Sequence, residues 1–130
     1  MFRKLLAACA VLTALAFAPA GASAHHSFSM FDQEREVTIR GVVTEFQWTN
    51  PHTFVELDVT DANGRVTHWS IEGHSPNILA RIGWRRTSLN PGDQVTLIIN
   101  PLKDGRPGGA LVTAILPDGT RLSQSSGRRR

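Results

Sequence analysis

The sequence predicts an all-β protein with one short helix, folded as a small OB-like barrel of five strands. Five segments have the apolar patterns of strands, either alternating or compact, and turn residues such as Asn-Gly and Pro-Gly separate several of them. A single segment with helical apolar spacing lies between the third and fourth strands. Three strands, one helix and two further strands follow one another in this order in OB-type barrels. A flattened β-sandwich or another small barrel would give much the same periodicity.

The first 24 residues are predicted to be a signal peptide rather than part of the fold. Arg3 and Lys4 precede an apolar run over residues 5–18, and Ala22-Ser23-Ala24 fits the motif that signal peptidase cleaves. The apolar run is shorter than the roughly 20 residues that a membrane span needs. We therefore expect a periplasmic or secreted protein, cleaved between Ala24 and His25, with no transmembrane segment in its mature chain.

The composition of the mature chain limits its chemistry. Removing 24 of the 130 residues leaves 106 and removes the one cysteine, so disulfides and thiol chemistry are not expected. Of the 14 Lys and Arg residues 12 remain, against 11 acidic residues, and three of the 12 are Arg128-Arg129-Arg130 at the terminus. A near-neutral body argues against nucleic-acid binding, which favours basic residues gathered on one folded face.

The predicted barrel domain covers residues 36–122, between an N-terminal arm at 25–35 and a disordered tail at 123–130. In its first strand the apolar residues change parity near Gly41, which predicts a β-bulge at that glycine. Val37 and Ile39 share one parity, and Val42, Phe46 and Trp48 share the other.

The second and third strands form the clearest hairpin. Asn63-Gly64 is a hairpin turn between two alternating runs. We expect the inward faces to carry Val55, Leu57 and Val59 on one strand and Thr67, Trp69 and Ile71 on the other.

The predicted helix begins with Ser75 as N-cap and Pro76 in the first helical position, and it ends at Gly83. Ile78, Leu79 and Ile82 would form its apolar stripe. The last two strands are predicted over residues 95–99 and 110–116.

Several separated motifs together resemble the DUF6152 family of small exported bacterial proteins. They occur in the family's order and cover nearly the whole mature chain: His25-His26-Ser27-Phe28-Ser29-Met30-Phe31-Asp32, Gly41 to His52, Trp69-Ser70-Ile71-Glu72-Gly73 with Ser75-Pro76-Asn77, and Leu79 to Trp84. The resemblance implies no established activity, because that family is one of unknown function. It leads us to expect a small residue at position 74 and therefore implies no role for His74.

The predicted cleavage site makes His25 the first residue of the mature protein. Its α-amine and imidazole could then chelate one metal ion, and His26 would add a further imidazole. Nitrogen ligands of this kind suit Cu(II), so copper is the cofactor that the sequence suggests. His52 could supply a third imidazole from the turn after the first strand. The alternative is that His25 and His26 form a polar, frayed terminus.

Two loops hold the candidate ligand-binding residues, namely Trp48, Asn50 and His52 in one and Glu72, Ser75 and Asn77 in the other. A helix N-terminus after Glu72 could receive a carboxylate or phosphate, although ordinary capping by Ser75 explains the same residues. For Trp48 we favour the alternative that its ring closes one end of the barrel.

Three function classes follow from these observations. The first is a binding module for a metal, a small ligand or a partner protein. An enzyme is not expected, because the sequence lacks a mature cysteine, a nucleophile elbow, a metalloprotease motif and a phosphate loop. An OB-type nucleic-acid module is the third class, and export and charge argue against it.

Overall fold

The computed structural model describes residues 28–125, and in this range six strands and two short helical segments follow one another. They are a 3₁₀ turn Phe28–Met30, β1 Val37–Gln47, β2 Phe54–Thr60, β3 Val66–Glu72, α1 Pro76–Arg81, β4 Gln94–Pro101, β5 Gly108–Ile115 and β6 Arg121–Ser123. No helix within these residues is both long enough and apolar enough to span a membrane.

Strand pairing closes the sheet into a barrel. The sheet has the order β3-β2-β1-β4-β5-β6, and a parallel pairing of β3 with β5 joins its two sides. In that pairing Ser70 lies opposite Gly108 and Ile71 opposite Gly109. Within the described residues this confirms the predicted five-stranded, OB-like barrel with one short helix between β3 and β4.

The interior of the barrel follows the predicted alternation in β2 and β3. Leu57 and Ile71 are fully buried, and Trp69 is partly buried against the same core. Leu79 of α1 and Trp84 after it, which is 1% exposed, complete the core at one end of the barrel.

The bulge in β1 lies at Thr44 and not at Gly41, so the predicted position was wrong. Val43 pairs with Leu57 and Glu45 with Glu56, which leaves Thr44 as the extra residue. Val43 is therefore the buried residue, at 1% exposure, while Val42 is 39% exposed. Gly41 has another role, because a Cβ there would overlap the carbonyl oxygen of Asp58 on β2.

α1 begins as predicted, with Pro76 in the first helical position. Ser75 occupies the N-cap position, but its hydroxyl makes no capping hydrogen bond. Its carbonyl oxygen instead accepts hydrogen bonds from the N–H groups of Ile78 and Leu79, each at 3.1 Å. Ile78, which was predicted to belong to the apolar stripe, is 47% exposed. The buried side chains of this six-residue helix are those of Pro76 and Leu79.

Both ends of the described chain pack against the barrel. Phe31 is 5% exposed and bridges to Leu102, and the N–H of Lys103 donates to the carbonyl of Met30 at 3.0 Å. At the other end Ser123 belongs to β6 and Gln124 is 6% exposed. The ordered fold thus extends beyond the predicted boundary at residue 122, because β6 adds a strand that the polar sequence did not indicate.

Candidate functional site: a histidine corner

The loop that follows β1 and the loop that follows β3 lie side by side at one end of the barrel. Phe54 pairs with Glu72 at the ends of antiparallel β2 and β3. Thr53 prolongs this pairing, since its carbonyl accepts from the N–H of Gly73 at 2.8 Å and its N–H donates to the carbonyl of His74 at 3.2 Å. We call residues His52, Glu72, Gly73 and His74 the histidine corner.

The imidazole of His52 is oriented by two acceptors of the neighbouring loop. Its Nδ1 lies 3.2 Å from Oε1 of Glu72 and 3.3 Å from the carbonyl oxygen of Gly73. Both partners accept hydrogen bonds, so the arrangement assigns a proton to Nδ1 and, in the neutral ring, the lone pair to Nε2. The side chains of His52 and Glu72 are 25% and 15% exposed, which leaves the pair at the surface but partly shielded from water.

His74 is fixed through its main chain. Its N–H donates to Oε1 of Gln124 at 2.7 Å, and its carbonyl accepts from the hydroxyl of Thr53 at 2.9 Å. Burial, and then the charge of the nearby His52, lower the pKa of His74 below its ordinary value. The His74 imidazole therefore favours its neutral form, in which one ring nitrogen is an acceptor.

Because Gly73 has no side chain, the side chains of Thr53 and Gln124 can both approach its Cα. A Cβ at this position would lie 2.5 Å from Oγ1 of Thr53 and 2.7 Å from Nε2 of Gln124. Within the described part of the chain, that buried Nε2 has no hydrogen-bond partner. Gln124 also lines a cavity of about 470 Å³ that includes Phe28, His74 and Leu111.

Trp48 contributes mainly to packing. Its ring lies 5.6 Å from that of Phe46 at 72°, an edge-to-face contact, and Phe46 lies 6.1 Å from Trp84. The Trp48 side chain is partly buried against the core. This geometry agrees with the alternative in which Trp48 closes the end of the barrel.

The remaining predicted residues flank the corner. Asn50 is exposed and precedes Pro51 through a cis peptide bond. Ser75 is half-buried before α1, and Asn77 is exposed within it. The structure thus brings His52 and Glu72 into contact, while the other three adjoin them in sequence.

Sequence reasoning missed His74 and Gln124. His74 carried no pattern beyond its position next to Glu72. Gln124 lies in a polar terminal segment, 50 residues from the backbone N–H that it accepts from, and no local signal predicts such a contact.

The predicted copper ligands His25 and His26 lie outside the described residues. Among residues 28–125 no group of three or more His, Cys, Asp or Glu side chains could hold a metal ion.

His68 lies on the outer face of the β2–β3 hairpin and has a different environment. Its Nδ1 is 2.9 Å from Oδ1 of Asp58 and its Nε2 is 2.8 Å from Oε2 of Glu56. The hydrogen bond with Asp58, and next that with Glu56, raise the pKa of His68. With a carboxylate on each nitrogen, this ring favours its protonated form, which cannot bind a metal.

Taken together, these features define a small β-barrel with a polar corner at one end. The chain belongs to the DUF6152 family, described as a family of unknown function, which it matches over residues 12–111. This confirms the resemblance seen in the sequence. No curated protein matches the chain.

Among solved structures, the chain is similar to the mitochondrial single-stranded DNA binding protein Rim1 of S. cerevisiae. The two share 10% sequence identity, with a TM-score of 0.49 over 64% of this chain and 93% of that chain.

Proposed function

We propose that this protein is an exported binding module that holds Cu(II) between its mature N-terminus and His52. The orientation of His52 is the observation that carries the proposal. Metal-ligating histidines usually donate their second ring N–H to a carboxylate or a backbone carbonyl, which fixes the tautomer and the ring direction. Glu72 and Gly73 supply both kinds of acceptor to Nδ1 of His52, so Nε2 is the nitrogen suited to a metal.

The N-terminal residues supply the remaining chemistry of the proposed site. Cleavage after Ala24 would give His25 an α-amine beside its imidazole, and His26 would add a second imidazole. An amine and imidazoles form the nitrogen-rich set that Cu(II) prefers. Protons compete for these nitrogens, so affinity should fall as pH drops through the imidazole pKa, ordinarily about 6.5.

Processing is tested first, because the terminal amine depends on it. Intact-mass measurement of the exported protein should show a chain that begins at His25. A mature chain that begins at another residue would contradict both export processing at Ala24 and chelation by His25.

Copper binding is tested by calorimetric titration of Cu(II) into processed protein and three variants. One variant carries an extra residue before His25, the second is His52→Ala and the third is Glu72→Ala. We expect the first two to weaken binding and the third to lower affinity about 10- to 100-fold, as loss of an orienting partner usually does. His68→Ala is the matched control and should leave the affinity unchanged. Equal affinities in all proteins would overturn the proposal.

A binding module without metal, for a small ligand or a partner protein, is the alternative if copper does not bind. We do not propose an OB-type nucleic-acid function or an enzyme. The outer face of β2 and β3 carries Glu56, Asp58 and Glu72, whose carboxylates would repel phosphate groups. A salt-dependent titration with a single-stranded oligonucleotide should show no binding at low salt, where such binding is strongest.

A further inference from the structure

We infer that the cavity beside Gln124 is a binding site for a small uncharged molecule with an apolar body and a carbonyl oxygen. This cavity lies where the 3₁₀ turn Phe28–Met30 meets β5 and the segment after β6. Its volume is about 470 Å³, and small-molecule sites typically measure about 300–1,000 Å³. The inference does not depend on the proposed copper site.

The carboxamide of Gln124 supplies the polar group of the site. Gln124 is 6% exposed, and its Oε1 accepts a hydrogen bond from the N–H of His74 at 2.7 Å, which fixes the orientation of the amide. His74 borders the same cavity, so the amide is held against a residue of the cavity wall. Within residues 28–125 the buried Nε2 has no hydrogen-bond partner. A buried donor without a partner is unfavourable, and an oxygen acceptor of a bound molecule would satisfy it.

Apolar side chains form much of the remaining wall. Leu111 and Val112 of β5 lie on one side, and Phe28 and Phe31 lie on the other with ring centroids 6.5 Å apart. Phe31 is 5% exposed, whereas Phe28 is 51% exposed. An apolar body in the cavity would remove part of the Phe28 ring from water, which favours binding.

Hydrogen bonds to its main chain hold Phe28 in place before a ligand binds. Its carbonyl oxygen accepts from the N–H of Phe31 at 3.1 Å and from Nε2 of Gln33 at 3.3 Å. Less conformational freedom is therefore lost on binding than if this residue belonged to a mobile loop.

The side chains of the wall also define the charge of the ligand. No Lys, Arg, Asp or Glu is among the described residues that line the cavity. A carboxylate or ammonium group placed there would lose water without gaining an opposite charge, which is unfavourable. The carbonyl oxygen of a ketone, ester or amide accepts a hydrogen bond from Nε2 of Gln124 without that penalty.

The test is an NMR titration of metal-free mature protein with three probes of similar size. Acetanilide is uncharged and has a carbonyl oxygen, phenylacetate is charged, and propylbenzene has no acceptor. We expect acetanilide to shift the side-chain amide resonances of Gln124 and the backbone amide resonances of Leu111 and Val112. Acetanilide should bind at least about fivefold more tightly than either of the other probes.

Two variants separate the polar and apolar parts of the site. Gln124→Glu retains an oxygen that accepts from the N–H of His74 but has no N–H to donate, so it should lose the preference for acetanilide over propylbenzene. Phe28→Ala should weaken the binding of both probes. Val66→Ala is the matched control, because Val66 is also an exposed apolar residue, at 56%, and does not line the cavity. Circular dichroism verifies the fold of each variant.

Three results would overturn the inference. The first is the absence of shifts at Gln124, Leu111 and Val112 when acetanilide is added. The second is equal affinity of the wild type for acetanilide and propylbenzene, which would mean that Nε2 of Gln124 does not hold the ligand. The third is an acetanilide affinity that Phe28→Ala leaves unchanged. The comparison of probes on the wild type does not require either variant to fold.

Discussion

The indole Nε1 of Trp84 donates a hydrogen bond to the backbone carbonyl of Ser123 at 3.0 Å. Trp84 follows α1 and is 1% exposed, so this bond joins the buried end of the barrel to its last strand. A second bond, from the N–H of His74 to the side chain of Gln124, attaches the same C-terminal segment to the histidine corner. The segment therefore stabilises both the core and the candidate site.

The first prediction concerns the length of chain that the fold requires. Removing residues 123–130 takes away the acceptors of the Trp84 indole and the His74 N–H, and each unsatisfied buried donor costs about 1–3 kcal/mol. Removing only residues 126–130 leaves both acceptors in place. Urea denaturation should show a clear loss of stability for the first truncation and almost none for the second. Equal stabilities would mean that the segment contributes nothing to the fold.

The second prediction compares the two tryptophans of the core region. Trp84→Ala should lower the free energy of unfolding by about 3–5 kcal/mol, the usual cost of deleting a buried aromatic side chain. Trp69→Ala should cost clearly less, because Trp69 is only partly buried. Thermal denaturation of both variants measures the difference. A larger effect at Trp69 would contradict the burial of Trp84.

The sequence predicted the hairpin of β2 and β3 correctly because its information is local. Val55 and Leu57 alternate with Glu56 and Asp58, and Asn63-Gly64 specifies the turn between the strands. The bulge in β1 could not be placed in the same way. A change of parity anywhere between Gly41 and Phe46 gives the same sequence pattern. The need for glycine at position 41 comes from another strand, because a Cβ there would overlap the carbonyl oxygen of Asp58.

The candidate site likewise combines contacts that the local sequence predicts with contacts that it does not. His52 and Glu72 were both predicted, because each lies in a loop beside a clear strand, and the structure brings them to 3.2 Å. The contribution of Gln124 could not be predicted, since it depends on how β6 returns across the barrel. The burial of Gly73 between Thr53 and Gln124 likewise follows only from the closed barrel.

The third prediction tests how tightly the corner is packed. Gly73→Ala should destabilise the protein by about 1–3 kcal/mol, because the new methyl group would lie against Oγ1 of Thr53 and Nε2 of Gln124. In a Gln124→Ala background the same substitution should cost less, since one of the two overlapping groups is gone. A double-mutant cycle measured by urea denaturation gives the coupling. Strict additivity would show that Gln124 does not restrict position 73.

The fourth prediction is a pH dependence of stability that originates at His68. The hydrogen bonds with Asp58 and Glu56 raise the pKa of His68 in the folded protein above its ordinary value of 6.5. The folded state thus holds the proton more tightly than the unfolded state. The resulting stabilisation is complete below pH 6.5 and is lost as the pH rises through the raised pKa of the folded protein.

His68→Gln is the variant that reveals this contribution, since it removes the titrating group and retains polarity. The side chain of His68 is 55% exposed, so water and salt screen its ion pairs, and exposed pairs contribute at most about 1 kcal/mol. We expect wild-type protein to be more stable than His68→Gln at pH 5.5, with a difference that shrinks by pH 8.5 and at high salt. An NMR titration of the ring protons should give a pKa above 6.5 for His68. A value at or below 6.5, or a stability difference that grows with pH, would contradict the pairing of His68 with the two carboxylates.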